Sequence, residues 1–235
     1  RLHMKHDTFF KAAVIMGKAY VMADEKMHPS SLVKIMTAYI AAEIGNPNDL
    51  ITVREDVLAT VPYDAVSAKL QPGEVITLQD LLYCMMVGSA NDAAAVIADH
   101  ICGSQEAFVK MMNDRAAELG CTSTNFVNVH GLSDDLQVTT ARDIAKIMVT
   151  AMENVDFEEA FCTYVVRIPA TNMAEERKVS SENFLFNRNL GSNHFESRAT
   201  GSRMGLTGNG ENNIVVTAES NDIELIGWTY IILSD

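Results

Sequence analysis

The sequence predicts an α+β fold in which an antiparallel sheet, built from both chain ends, is flanked by a helical cluster. Three observations point there. Short β-type runs lie near the two ends, at residues 12–23 and 213–233. Apolar residues at helical spacing fill much of the interval between them. And 235 residues, 48% of them hydrophobic and 21% charged, are enough to bury a substantial core.

Each element has a local reason. Residues 1–11, opening Arg1-Leu2-His3-Met4, read as a cloning remnant or a disordered start, and 12–235 as one domain. Gly17-Lys18 separates two alternating runs between Ala12 and Ala23, the signal of a type II′ hairpin. A helix beginning near Ser31 runs to about Glu43, where Gly45, Asn46 and Pro47 stop it. Residues 49–78 mix short β runs (Leu50–Val53, Val75–Leu78) with the turn Gln71-Pro72-Gly73, and read as an irregular cover. From Leu78 the helical period returns, with Leu81, Leu82, Met85 and Met86 on one face. Gly88 breaks that helix, Ser89-Ala90-Asn91 occupy the break, and an Ala-rich helix follows from Asp92 to Ile101. Ser104 caps a helix that Gly120 closes. Thr139 or Thr140 starts another, with Ile144, Ile147 and Met148 inward. The stretch Pro169–Arg203 is polar and loop-like, and is expected to flank a site. Asn213–Glu219 and Ile223–Leu233, joined by Ser220-Asn221-Asp222, read as a hairpin within the sheet.

Composition removes several function classes. A net charge of −13 argues against a nucleic-acid or anionic-membrane surface, since both partners are polyanions. No stretch is apolar enough for long enough to span a bilayer, and no basic start precedes an apolar signal core. Cys84, Cys102, Cys121 and Cys162 lie far apart with no C-x-x-C pair, so they are expected as buried or free thiols, a disulfide being allowed but not assignable. The six histidines form no metal-binding spacing, and neither a metal nor a cofactor is expected. His130 is expected to be structural, and Asp134 and Asp135 to be turn residues.

The chemistry concentrates at Pro29-Ser30-Ser31-Leu32-Val33-Lys34. Three residues apart on a helix, Ser31 and Lys34 share a face and their side chains meet. A serine becomes nucleophilic when a neighbouring base takes its proton, and an amine serves only when neutral. Burial and a positive helix terminus both push a lysine toward that state.

Further motifs follow in order: Ser89-Ala90-Asn91, and then Gly201-Ser202-Arg203-Met204-Gly205-Leu206-Thr207. Together with Phe126–Leu132 and Thr139–Asp143, they make the chain resemble the serine-type D-alanyl-D-alanine carboxypeptidases. These are the low-molecular-weight penicillin-binding proteins of peptidase family S11, with the β-lactamase/transpeptidase-like fold. The resemblance covers roughly residues 12–233. Its three motifs are S-x-x-K, S-x-N and K-T-G, and the third departs here: Arg203 replaces the lysine and Met204 the threonine. Arginine keeps the charge but stays protonated, which leaves Lys34 as the base. In the family the lost hydroxyl helps hold the substrate carboxylate, and losing one charged hydrogen bond costs roughly 1.5–3 kcal/mol, or about 10- to 150-fold. Activity is therefore expected to be reduced or shifted in substrate. The first hairpin is shorter than the family's, and the C-terminal β-rich domain and amphipathic membrane anchor common in the family are not expected in this chain.

The resemblance implies acyl transfer from peptidoglycan stem peptides ending in D-Ala-D-Ala, with β-lactam antibiotics as covalent inhibitors, outside the bacterial membrane. Ser31 attacks and Lys34 takes its proton. Ser89 passes a proton to the leaving D-alanine. Asn91 binds the substrate amide and orders Lys34. Arg203, Met204, Gly205 and Thr207 take part in substrate binding, with Arg203 attracting the terminal carboxylate. The oxyanion lies on the backbone N–H groups of Ser31 and Leu206. Two rivals remain: a β-lactamase, for which no E-x-x-L-N water-activating loop is found, and a penicillin- or muropeptide-binding module weakened at Met204.

Overall fold

A computed structural model describes residues 23–192, 195–206, 211–220 and 223–232. The hairpin expected around Gly17-Lys18 and the proposed start at 1–11 lie outside the described residues, as do Thr207 and the Asn221-Asp222 turn.

At the centre is helix α1 (Val33–Ile44), entered through a 3₁₀ turn over Ser30–Leu32. Every residue from Val33 to Ala42 is buried, so the helix is enclosed on all sides rather than amphipathic. That is why its sequence shows a continuous apolar run instead of a stripe, and why Lys34 and Thr37 stand out within it. Strand β1 (Leu50–Thr52) and helix α2 (Glu55–Leu58) follow; β1 pairs antiparallel with β2 (Val75–Thr77).

Helix α3 (Leu78–Gly88) begins at Thr77, whose hydroxyl oxygen accepts from Asp80 N at 3.0 Å and whose hydroxyl donates to Asp80 Oδ2 at 2.7 Å. It ends at Ser89 in a left-handed conformation (φ 60°), and α4 (Asn91–Cys102) restarts two residues later. Ser104 caps α5 (Gln105–Glu118), and Thr140, of the two candidates, caps α6 (Ala141–Ala151). Helix α7 (Val155–Cys162), started by Asn154, was not expected from the pattern. Its eight residues are too few to display a helical period against their flanks.

The stretch expected as a loop, Pro169–Arg203, holds more structure than that. After β3 (Val165–Ile168) comes β4 (Arg177–Ser180), paired antiparallel with it, then a 3₁₀ turn (Arg188–Leu190) and the start of β5 (Ala199–Leu206). Polar side chains hide β4 in the sequence, although Val179 and its register partner Val166 in β3 pack against the core and Ile168 is fully buried. Strand β5 pairs antiparallel with β6 (Glu211–Ser220), and β6 with β7 (Ile223–Ile232), so the predicted C-terminal hairpin is present with one more strand before it. The core joins α1, α3, α4, α6 and α7 to the inner face of this sheet through Val215. All four cysteines are free thiols; burial pushes those of Cys84 and Cys121 up to about 12.

Candidate active site

The Pro29–Ser31 turn is held from two sides. Ser30 has φ 49°, a conformation uncommon outside glycine. Against it lie two glycines from distant segments. A Cβ on Gly131 would stand 2.0 Å from Ser30 O, and one on Gly205 would stand 2.9 Å from Pro29 O. Neither position leaves room for a side chain. The consequence is local: Ser31 sits at the entry to α1 with its hydroxyl turned toward Lys34 and Ser89.

Ser31 Oγ lies 3.3 Å from Lys34 Nζ and 3.3 Å from Ser89 Oγ. Lys34 has no solvent exposure. Its Nζ donates to Asn91 Oδ1 at 2.8 Å and makes a short hydrogen bond to the backbone oxygen of His130. Burial first, and the charge of Arg203 second, hold its pKa well below the usual lysine range, with Asp92 opposing them. A neutral amine has two N–H groups and one lone pair. Asn91 Oδ1 and His130 O can only accept, so they take both hydrogens, and the lone pair is left for the Ser31 hydroxyl.

The break between α3 and α4 supplies Ser89 and Asn91. The left-handed Ser89 carries its hydroxyl to Ser31 on one side and to Arg203 on the other. Beyond Lys34, Asn91 engages Val66: both its backbone N (2.8 Å) and Nδ2 (3.0 Å) donate to Val66 O. Its neighbour Asp92 accepts from Ser67 Oγ (2.7 Å), Ala68 N (2.9 Å) and Leu70 N (3.1 Å). Two consecutive residues thus tie the rim segment 66–70 to the residue that orders the lysine.

From β5 comes Arg203, 4% exposed. Nη1 donates to Met86 O at 2.6 Å, Nη2 to Ser89 Oγ at 2.8 Å, and Nε to Ser31 O at 3.4 Å. Burial lowers its pKa to about 10, which leaves it charged at neutral pH. Gly205, two residues on, shares that face and meets the Ser31 turn; Met204 alternates to the other face and is half-buried. The Leu206 backbone continues β5, and Thr207 lies outside the described residues.

Ser31, Lys34, Ser89, Asn91, Arg203 and Gly205 therefore converge. Sequence reasoning missed the backbone oxygen of His130. The His130 ring is a structural part of its loop: Nδ1 accepts from Leu132 N at 3.2 Å, and burial together with Lys34 lowers its pKa to about 4. Asn128 Oδ1 accepts from Gly131 N at 2.7 Å and fixes the turn that aims the carbonyl. The Asn-x-x-Gly spacing of Asn128 and Gly131 was the available signal. The Val66 rim left none, because a backbone carbonyl acts there too.

A profile of the family described as D-alanyl-D-alanine carboxypeptidase matches residues 15–230. The D-alanyl-D-alanine carboxypeptidase DacC of Escherichia coli strain K12 is 32% identical over 212 residues, covering 87% of this chain and 50% of that protein. The DacA enzyme of Haemophilus influenzae is 30% identical over 217 residues, covering 86% and 50%. The chain spans about half the length of these relatives. Among solved structures, the Streptomyces K15 DD-transpeptidase superposes with a TM-score of 0.80 at 25% identity, covering 90% of this chain and 83% of that one. A D-alanyl-D-alanine carboxypeptidase of Mycobacterium tuberculosis gives 0.78 at 25%, covering 90% and 76%.

Proposed function

The chain belongs to the D-alanyl-D-alanine carboxypeptidase family, and we propose that it hydrolyses the terminal D-Ala-D-Ala bond of peptidoglycan stem peptides through an ester on Ser31. The observation that carries this reading is the contact of Ser31 Oγ with Lys34 Nζ, where the lysine is buried and its pKa is held down. Ser31 Oγ bonds to the carbonyl carbon as its proton passes to Lys34. The carbon–nitrogen bond then breaks, and the departing D-alanine nitrogen takes the Ser89 proton. Water completes the cycle by releasing the ester. The N–H groups of Ser31 and Leu206 hold the oxyanion. Asn91 orders Lys34 and presents its remaining amide hydrogen to the substrate; Arg203, Met204 and Gly205 of β5, together with Thr207, are the remaining substrate-binding residues of this reading.

β-Lactams acylate the same serine in this reading. Such a substrate lies outside the bacterial membrane, so the chain is read as extracytoplasmic; among the described residues, no helix is long and apolar enough to cross a membrane. The test is intact mass after benzylpenicillin, with Ser31→Ala as control, followed by D-alanine release from a D-Ala-D-Ala peptide. A persistent Ser31-dependent adduct with D-alanine release supports the carboxypeptidase. An adduct without release supports the binding module that Met204 motivates, and rapid loss of opened drug supports a β-lactamase. No adduct and no release would remove the reading.

A further inference from the structure

Behind the His130 carbonyl lies a cradle of neutral side chains. Asn128 Oδ1 accepts from Gly131 N, and its Nδ2 donates to Leu132 O at 2.9 Å. Thr37 Oγ1, on α1 with Lys34, donates to Val129 O at 2.7 Å. Gln137, 2% exposed, closes the loop. Its Oε1 accepts from Val127 N (3.2 Å) and Asn128 N (3.1 Å). Its Nε2 donates to Asn128 Oδ1 and to Leu132 O, both at 3.2 Å. An amide has two lone pairs and two hydrogens, so every valence of this side chain is spent on segment 127–132.

The backbone of the same residue serves a different segment. Gln137 O lies 3.1 Å from His28 Nδ1, and a carbonyl only accepts, so that nitrogen carries the hydrogen. Two residues on, Thr139 pairs with Met27 through both backbone hydrogen bonds, each 2.9 Å. Asn213 of β6 donates to His28 O at 2.9 Å. Residues 27 and 28 lead directly into Pro29-Ser30-Ser31. We propose that Gln137 is the positioning residue that registers the nucleophile against its base: its backbone fixes the chain entering Ser31, and its side chain fixes the loop whose His130 carbonyl takes a hydrogen from Lys34 Nζ. The inference rests on the acyl-transfer reading and deepens it.

The lysine needs such a fixture. Its amine ends a long flexible stem, and the direction of its lone pair is set by where its two acceptors stand. Asn91 Oδ1 is one of them, and the His130 carbonyl is the other. Without the second, the lone pair is free to turn away from Ser31 Oγ, 3.3 Å distant. The charged and titratable groups facing Lys34 are Arg203 from β5, Asp92 from α4 and His130 from its loop. Gln137 adds no charge to them. Its influence on Lys34 therefore passes through the place of the loop alone.

The experiment follows acylation by benzylpenicillin against pH and, on labelled protein, the NMR titration of Lys34, in the wild-type chain and in Gln137→Met. Methionine matches glutamine in length and is uncharged, so any movement of the Lys34 titration arises from the loop. Burial is the largest cause of the lowered Lys34 pKa, and a relaxed loop admits water to the amine. The expected result is acylation slowed about 10- to 100-fold at neutral pH, with the Lys34 titration and the acidic limb moved together to higher pH. Asn128→Ala should move both in the same direction. The double variant should be slowed no more than the slower single one, because both amides act through one carbonyl. His28→Phe touches the other end, and should slow acylation with the acidic limb unmoved. A lower melting temperature in Gln137→Met with an unmoved titration and limb would make the residue a structural prop and overturn the inference. Additive slowing in the double variant would also overturn it, and a wild-type rate in His28→Phe would remove the link to Ser31. Should Gln137→Met not fold, Gln137→Asn is one methylene too short to span Val127 N and Leu132 O together, and an unmoved Lys34 titration in it overturns the inference alone. If the wild type forms no adduct, the carboxypeptidase reading falls, while the Lys34 titration, which needs no acylation, still decides on Gln137.

Discussion

Lys34 illustrates what a single residue costs and supplies. A lysine without solvent exposure is held in the folded chain with its pKa well below the usual range, by burial and then by Arg203. Between that lowered value and the ordinary lysine value near 10.4, the unfolded chain binds a proton the folded chain does not, so stability rises with pH over this window. Lys34→Met, similar in length and apolar, removes that dependence and should raise the melting temperature at neutral pH. Acylation of Ser31 in the same variant should fall by about 10²- to 10⁴-fold, the usual contribution of a positioned base. A variant with less stability and intact acylation would contradict both halves. The two glycines are tested at the same scale. Gly131→Ala forces a Cβ toward Ser30 O at a backbone angle of φ 88°, and should abolish acylation even where circular dichroism shows a folded protein. Wild-type acylation in that variant would show that the Ser30 turn does not depend on the close approach. At this scale the sequence was most legible where chemistry belongs to side chains. Ser31 and Lys34 announce themselves by spacing, whereas the His130 and Val66 carbonyls are invisible because every residue has one.

Among elements, the α3–α4 break does the positioning, and it reaches the rim of the site through Asp92. That carboxylate accepts from Ser67, Ala68 and Leu70, and its negative charge raises the Lys34 pKa. Asp92→Ala should therefore have two effects of opposite kind. The amides of Ala68 and Leu70 lose their acceptor, and their hydrogen exchange should accelerate. The acidic limb of acylation should move to lower pH, because the group that favours protonated Lys34 is gone. An acid limb moving upward would mean that loop disorder, not charge, dominates at Lys34. The helices were readable from caps and period: Ser104 and Thr140 each accept the expected backbone hydrogen bond, and Thr77, which the sequence placed in a β run, caps α3 in the same way. Strand β5 was not readable as a strand. Gly201, Ser202, Arg203 and Gly205 carry almost no β preference, and the strand exists through its register with β6, where Arg203 faces Val215 and Gly205 faces Asn213. Its glycine is needed for contact with the Ser31 turn, so the same residues that build the site erase its strand signal.

For the molecule as a whole, a net charge of −13 argues against polyanionic partners but says nothing about the interior, where cationic Arg203 sits beside Lys34. The interior also holds a long-range tie that no local pattern discloses. Glu74, fully buried before β2, pairs with Arg177 at the start of β4, and also accepts from Thr171 Oγ1 at 2.9 Å and Gln71 N at 3.1 Å. One residue belongs to the irregular cover and the other to the stretch read as loop, so the pair joins two small sheets that the sequence left unconnected. Removing one partner strands the other charge: Arg177→Met should destabilise the fold by about 3–5 kcal/mol. Glu74→Gln keeps an oxygen for Thr171 and Gln71 while removing the charge, and Arg177 Nη1 is already buried without a partner. Adding Glu74→Gln to Arg177→Met should therefore recover at least half of the loss, a strongly non-additive cycle in urea denaturation. Additive losses would show that packing around β4, rather than the buried charge, carries the tie. Because neither residue contacts Ser31, Lys34, Ser89 or Arg203 among the described hydrogen bonds, the folded fraction of each variant should acylate at the wild-type rate. A slowed rate in fully folded protein would mean that the cover and the late sheet position the site together.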